Sequence, residues 1–343
     1  MAIVNKETLE VAHEVPPLIP FPRGSRFEYL ELPDGRTHRL HIVSFRDPRH
    51  TDVVVSALAR DEAIAFHGWG VSGMGCRADN ASDSRKFWLY KEGRPLGAKV
   101  PLLEPPKYAV EHIDWQSVHK QFRHLQDPRL LKELWENPIL PYHLIFPYRS
   151  EGRTLNEAVV TPAHDKEVAS DVPVPTICLS WTGDPAIDHL VRKVKKACPE
   201  AQIAVSSLND SGETPSFTTP ELIAYFQQKG KTHWTIIVED PLLEPLDIAS
   251  SHSQFIVPLA DEEPVFGIKR IGSLSPGGFS EHIGLKVKIP EKVKIASRRV
   301  PDDVILDEKL YQADALIHSW QKGLLWQVAG SYFEDLKERL HLV

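Results

Sequence analysis

Two short apolar segments in this chain each run into a small, polar turn that contains glycine. The first covers residues 64–76 and the second covers residues 204–212. Turns of this kind bring backbone N–H groups close to an anion. Because an Arg-Pro dipeptide at Arg94 lies between the two segments, the sequence predicts that distant parts of the chain fold around one anionic ligand.

Composition limits the classes of protein to consider. With 343 residues, 42% hydrophobic and 25% charged, the chain can form one large α/β domain or one domain with an appendage. A net charge of −7 excludes an overall basic field for nucleic acid, although a local basic patch remains compatible with it. The three cysteines lack CxxC spacing, so neither a disulfide framework nor a zinc site is expected.

Hydropathy indicates where the protein works. The N-terminal residues are too polar for a signal peptide, and no run of about 18 apolar residues is present to span a membrane. We therefore expect a reduced, cytoplasmic protein without a membrane partner.

The chain divides into three predicted parts: an N-terminal arm or covering strand (1–37), a main domain (38–284), and a basic linker with a C-terminal helical extension (285–343). Alternation of apolar residues predicts strands at 38–45, 62–66, 142–146, 157–161, 176–181, 202–206, 234–239, 254–259 and 265–271. Helical periodicity and capping residues predict helices at 52–59, 81–90, 128–136, 185–197 and 220–229. Because some predicted strands follow each other without a helix, a mixed sheet is favoured over a purely parallel one.

The order of motifs resembles a known family. Phe66, residues 73–76, Arg94-Pro95, residues 207–212 and residues 253–256 follow each other as in the YrdC-like family, the threonylcarbamoyl-adenylate synthases, over segments 53–112 and 174–280. The resemblance implies an α/β fold with a twisted, open mixed sheet and a central cavity. It also implies that ATP, with or without Mg²⁺, reacts with bicarbonate and an amino acid to give a carbamoyl adenylate.

Several residues are predicted to hold phosphate. Arg94 offers a fork of N–H donors, and Lys91 or Lys99 adds a point charge. Ser207 and Asn209 stand at i and i+2, so on an extended chain both face one ligand. The candidates that complete this set are Ser211, Ser253 and Arg270.

Two glycines and two histidines are further candidates. Gly73 and Gly75 are expected to let the ligand approach the backbone. His67 or His143 is a candidate general base, because imidazole titrates near neutral pH. The histidines lack the spacing of a metal site on one element, so no resident metal is predicted. Glu239-Asp240 at a strand end is either an ordinary turn or a neighbour of nucleotide-bound Mg²⁺.

Departures from the family pattern keep other functions open. Gly68 and Trp69 stand where the family has its Thr motif, Glu92 stands where it has a Lys, and Ser180 replaces an Arg. The leading hypothesis is a diverged enzyme that binds a nucleotide or acyl-adenylate and transfers a carbamoyl or related acyl group. One alternative is an RNA-, tRNA- or metabolite-binding protein with altered catalysis. Another is an acyl or aminoacyl transferase of secondary metabolism.

Two further questions stay open at this stage. The basic run at 286–299 is either a solvated face or a contact for RNA phosphates. The sequence does not indicate an oligomeric state.

Overall fold

The structure is a computed structural model. It describes residues 25–44, 47–67, 71–79, 86, 90, 100–136, 142–151, 155, 159–162, 174–181, 185–210, 213, 215–216, 218–240, 252–272, 274, 276–291 and 293–295. Most of the predicted helix at 81–90 and of the C-terminal extension lies outside these residues.

The described strands form one 14-stranded mixed sheet. In chain order they are β1 (Arg26–Glu31), β2 (Thr37–Ser44), β3 (Ile64–His67), β4 (Ser72–Arg77), β5 (Pro101–Leu103), β6 (Tyr142–Pro147), β7 (Thr161–Pro162), β8 (Pro175–Ser180), β9 (Ile203–Ser207), β10 (Ile236–Glu239), β11 (Ser253–Ile256), β12 (Phe266–Ile271), β13 (Val287–Lys288) and β14 (Lys294–Ile295).

The described α-helices are α1 (Pro48–Ala59), α2 (Pro106–Ala109), α3 (Pro128–Glu136), α4 (Pro185–Ala197), α5 (Thr219–Lys229) and α6 (Pro276–Ile283). Short 3₁₀ helices occupy Val110–His112 and Lys120–Gln126. The predicted α/β class with an open mixed sheet is therefore confirmed, whereas the central cavity stays a prediction.

Strand direction defines two ends of the sheet. The main path runs β1-β2-β10-β3-β4-β9-β5-β8-β6-β11-β12-β13. Parallel and antiparallel pairings along it place the carboxyl ends of β2, β3, β6, β9, β10 and β11 at one end, called end A. The opposite end, end B, holds the carboxyl ends of β4, β5, β8 and β12.

Each face of the sheet buries its own apolar cluster. On one face, α1 and α4 cover the middle strands with side chains such as Val54, Leu58, Leu190 and Val194. On the other face a larger cluster includes Trp135 of α3, Phe226 of α5 and Phe279 of α6. Fully burying one large apolar side chain stabilises a fold by about 1.5–3 kcal/mol, so these two clusters hold the helices on the sheet.

Local sequence explains where several helices begin and end. The α4 helix has the predicted bounds. The α1 helix begins before the predicted residue 52, because Asp47 accepts a hydrogen bond from the Arg49 N–H and Pro48 suits the first helical turn. The α5 helix ends at Gly230, whose φ of 61° is left-handed.

One predicted turn is wrong. Residues 72–77, which include Gly73 and Gly75, form strand β4 between β3 and β9 instead of a glycine-rich turn. Residues 68–70 of the same motif lie outside the described part of the chain, as do 157–158 of the predicted strand 157–161.

The terminal segments contribute strands to the sheet. β1, from the predicted arm, pairs with β2 along its whole length. From the predicted linker, β13 and β14 both pair with β12. The division of the chain at residues 37 and 284 stays a prediction.

Candidate functional site

The predicted site residues that the structure describes fall into two groups. His67, Ser207 and Asn209 lie at end A. His143, Ser253 and Arg270 lie at end B. The remaining phosphate candidates, Lys91, Arg94, Lys99 and Ser211, are outside the described residues, so their roles stay predictions.

Strand register measures the separation of the two groups. Four residues on neighbouring strands lie side by side in one row across the sheet. They are Ile203 of β9, Leu103 of β5, Ser180 of β8 and His143 of β6. Along the strand direction, Ser207 is four residues beyond this row, or roughly 13 Å at the usual rise per residue. Across the sheet, β9 is three strands from β6, or roughly 14 Å. The structure therefore does not bring Ser207 and His143 together.

At end A the polar side chains mostly bind to their own turns. Strand β9 ends at Ser207, so Asn209 is not its same-face neighbour on an extended strand, contrary to the sequence prediction. The Asn209 amide instead donates to the carbonyls of Asp210 (3.0 Å) and Glu213 (2.7 Å). Lys231 Nζ donates to Asp210 Oδ1 at 3.2 Å. This turn is held by internal bonds that use the groups predicted to hold a ligand.

Gly73 is required by packing against its neighbour strand. A Cβ on Gly73 would lie 2.6 Å from the Phe66 ring, and one on Gly75 would lie 3.4 Å from Ile64. Phe66 and Ile64 therefore occupy the space that the sequence analysis assigned to an approaching ligand. His67, with 2% of its surface exposed, stands opposite Ser72 at the end of the same strand pair.

At end B, four polar side chains from neighbouring strands meet. We call His143, His252, Gln254 and Arg270 the His143 cluster. Gln254 Nε2 lies 3.4 Å from His143 Nδ1, and His143 Nε2 lies 3.0 Å from His252 Nδ1. Because the Gln254 amide donates, His143 Nδ1 accepts, and its Nε2–H donates to His252. Arg270 donates through Nε (3.0 Å) and Nη2 (2.7 Å) to the His252 carbonyl.

Burial sets the charges of this cluster. It lowers the pKa of His143 well below the ordinary value, with smaller contributions from His252 and Arg270. It lowers the pKa of Arg270 to about 10. At neutral pH His143 is therefore uncharged and Arg270 is a cation, and no carboxylate of the described residues forms an ion pair with it. The cluster can attract an anion.

Two predicted roles change in this geometry. Both ring nitrogens of the buried His143 already face partners, so in this arrangement it orients His252 and is not poised as a general base. The Ser253 hydroxyl donates to the Leu274 carbonyl and accepts from the backbone N–H groups of Gly272 (2.7 Å) and Leu274 (3.1 Å). It fixes the turn after β12, which a local sequence pattern cannot show.

Sequence reasoning also missed two buried ion pairs at end B. Arg77 and Asp79 form a bidentate pair, with both N–O distances at 2.8 Å. Glu104 has no exposed surface, and Lys195 Nζ lies 2.9 Å from its Oε1. Burial raises the pKa of Glu104 to about 7 despite Lys195. The Arg-x-Asp spacing is the one local signal, because it puts both side chains on one side of an extended chain.

The described residues contain no group of three His, Cys, Asp or Glu side chains arranged for a metal ion. None of the helices described is long and apolar enough to cross a membrane.

Comparison with known proteins gives structural neighbours only. No protein-family model and no curated protein matches the chain. The fold is similar to P. abyssi Sua5 complexed with L-threonine (TM-score 0.49, 16% identity, 72% of this chain and 62% of that one). It is also similar to E. coli YciO (0.48, 14%, 69% and 97%) and to HypF in its phosphate- and nucleotide-bound form (0.43, 12%, 73% and 26%).

Sua5 and YciO are members of the YrdC family. The chain spans less than two thirds of the Sua5 chains, at 65% and 62% of their lengths. At these identities the likeness describes the fold. Because every one of these TM-scores is below 0.5, no activity, ligand or residue role is transferred from it.

Proposed function

We propose that this protein is a diverged YrdC-like enzyme that binds ATP or an acyl-adenylate and transfers a carbamoyl or related acyl group. The observation that carries the proposal is Arg270, a partly buried cation at end B whose hydrogen bonds to the described residues all go to the His252 carbonyl. A guanidinium in such a place is a suitable partner for phosphate or carboxylate. The order of the motifs in the sequence supports the same class of ligand.

In this proposal each described residue has a limited task. Arg270 binds an anionic oxygen of the nucleotide. Gln254 and His143 hold the His252 ring through the chain of ring and amide contacts. Arg94, Lys91 and Lys99 are proposed to supply the further positive charge that a triphosphate needs. Catalysis would then come from positioning and charge, because no Ser/His/Asp triad is evident in the sequence.

The first experiment measures nucleotide affinity by calorimetry on the full-length protein. Arg270→Met and Arg94→Ala should each weaken ATP binding by about tenfold or more, since a charge-assisted contact contributes about 1.5–3 kcal/mol. Arg123→Met is the matched control, because Arg123 also donates to main-chain carbonyls, those of Val118 and Gln116. Unchanged affinity in the Arg270 variant would refute its assigned role.

A second candidate is a binding protein without catalysis. It is favoured by the engagement of the predicted catalytic and phosphate groups, since His143, Ser253 and Asn209 already have internal partners. Its ligand would be RNA, tRNA or a metabolite. Pyrophosphate release with ATP, bicarbonate and each of the common amino acids separates the two candidates. Release with any of them supports the enzyme, whereas ATP binding without release supports the binding protein. A cytoplasmic location belongs to both proposals.

A further inference from the structure

A groove far from the His143 cluster lies between the β1–β2 hairpin and α1. Its volume is about 580 Å³, within the range of sites for small organic ligands. Phe27 and His41 line it from the sheet, and Val53 and Ser56 line it from α1. It occupies the β1 edge of the sheet, whereas the His143 cluster belongs to β6, β11 and β12 near the other edge.

The floor of the groove is aromatic. Phe27 of β1 stands opposite His41 of β2, and Ile236 of β10 stands on the other side of His41. The Phe27 and His41 rings stack with centroids 4.5 Å apart and planes inclined by 23°. Phe27 keeps 51% of its surface exposed. These side chains present apolar and π-electron surface to the groove.

The groove contains one positive charge that no carboxylate of the described part of the chain neutralises. The Arg39 guanidinium lies 5.0 Å from the centre of the Phe27 ring and has no carboxylate partner among the described residues. The other charges in the lining are paired: Arg60 with Glu62 at 2.7 Å, and Asp52 with Lys193 of α4 at 2.7 Å. The balance of charge therefore favours a ligand with a single negative charge.

The His41 ring supplies an independent sign of a missing partner. Its Nε2 atom is buried and makes no hydrogen bond within the described structure. Burial lowers the pKa of His41, and His50 and Arg39 add to the effect, so the ring is neutral at pH 7. A buried ring nitrogen without a partner is costly. As the N–H tautomer it can donate to an oxygen of a ligand in the groove.

We propose that this groove binds a small aromatic carboxylate. The carboxylate lies between Arg39 and the His41 Nε2–H, and the ring lies against Phe27, Val53 and Ile236. A cationic ligand would meet Arg39 with like charge, and a polyphosphate would bring more negative charge than the one unpaired guanidinium compensates. The proposal does not depend on the function proposed for end B.

The test is a titration of the full-length protein with benzoate, in which ligand-observed saturation-transfer NMR measures the binding. Benzoate should bind saturably. Benzylamine, which has the same ring with the opposite charge, and acetate, which lacks the ring, should each bind at least about tenfold more weakly. These two probes separate the charge requirement from the ring requirement.

Two variants and two matched controls locate the binding. Arg39→Gln and Phe27→Leu should each weaken benzoate binding about tenfold. Arg129→Gln, at an arginine with 86% of its side chain exposed on α3, and Leu130→Ala, at an exposed apolar residue of the same helix, should leave it unchanged.

Several results would overturn the inference. They are the absence of saturable benzoate binding, equal affinity for benzylamine, or equal loss of affinity in the Arg129 control. ATP affinity measured in the Arg39 variant distinguishes this site from the other one, because it should not change even if the function proposed for end B is correct.

Discussion

Two arginines at end B differ in what surrounds them. Arg77, at the end of β4, has a bidentate partner in Asp79 and a further acceptor in the Ala59 carbonyl. Arg270, near the end of β12, has one main-chain carbonyl for both of its bonding nitrogens. The first guanidinium is neutralised by a carboxylate, whereas no carboxylate of the described residues pairs with the second.

The difference between the two arginines separates a structural ion pair from a candidate binding residue. A paired buried charge is costly to separate, but the pair contributes little beyond what an apolar pair would, so it indicates architecture. A partly buried cation without a carboxylate costs stability, and groups with shifted pKa values are concentrated at functional sites. Four substitutions test this distinction between satisfied and unsatisfied groups.

The largest effect is expected from Asp79→Asn. It leaves the Arg77 guanidinium in the interior without its counter-charge, so the free energy of unfolding should fall by about 3–5 kcal/mol in urea titrations. Asp34→Asn is the control, because the Asp34–Arg36 pair is solvent-exposed and its loss should change stability little. A variant as stable as the parent protein would contradict the structural role of the pair.

Glu104 should make the free energy of unfolding depend on pH. Because its folded pKa of about 7 exceeds the unfolded value near 4.5, its contribution to stability is complete below pH 4.5 and is lost as the pH rises to about 7. Between these limits the loss should be roughly 2–3 kcal/mol. Glu104→Gln should remove it, so that unfolding free energies at pH 5 and pH 8 differ less than in the parent. Glu151→Gln, at an exposed glutamate that does not contribute to the Glu104 pKa shift, should leave the difference intact.

Asn209→Ala tests a predicted ligand contact that the structure uses internally. Loss of two hydrogen bonds to carbonyls should reduce the free energy of unfolding by about 1–2 kcal/mol. The ATP affinity of the folded protein should not change. Calorimetry at a temperature well below the unfolding transition measures that affinity. A loss of ATP affinity in protein that remains folded would show that Asn209 does contact the ligand.

Arg270→Met should have the smallest effect on stability, within about 1 kcal/mol, because an apolar side chain replaces an uncompensated cation. Thermal unfolding of the Arg270→Met and Asp79→Asn variants, measured side by side, compares the structural roles of Arg270 and Arg77 directly. If both variants lose stability equally, the two arginines have the same structural role and the case for an anion site at end B fails.

Much of the fold was predictable because local signals coincide. For α4, a proline at the first position, an apolar period of a helix and Lys195 and Lys196 in the last turn all mark the same boundaries. The β4 strand was missed because glycine at 73 and 75 is typical of turns as well as of strands with a close neighbour. The reason for glycine at position 73 is the Phe66 ring, which a local pattern does not reveal.

The site was predictable only in part, because its arrangement depends on register. The sequence placed His143, Ser253 and Arg270 in one pocket with Ser207 and Asn209, whereas the structure has the first three at end B and the other two at end A. It also missed Glu104 with Lys195, since their contact joins the end of β5 to the last turn of α4. Pairings between elements of this kind are set by tertiary structure alone.

The carbonyl that accepts from Arg270 belongs to His252, and the next residue, Ser253, clamps the turn of residues 272–274. That turn leads into α6 at Pro276. The proposed anion would compete with this carbonyl for the guanidinium, beside the residue that holds the turn before α6. If the proposal is correct, occupancy of the site would therefore be felt first at the start of that helix.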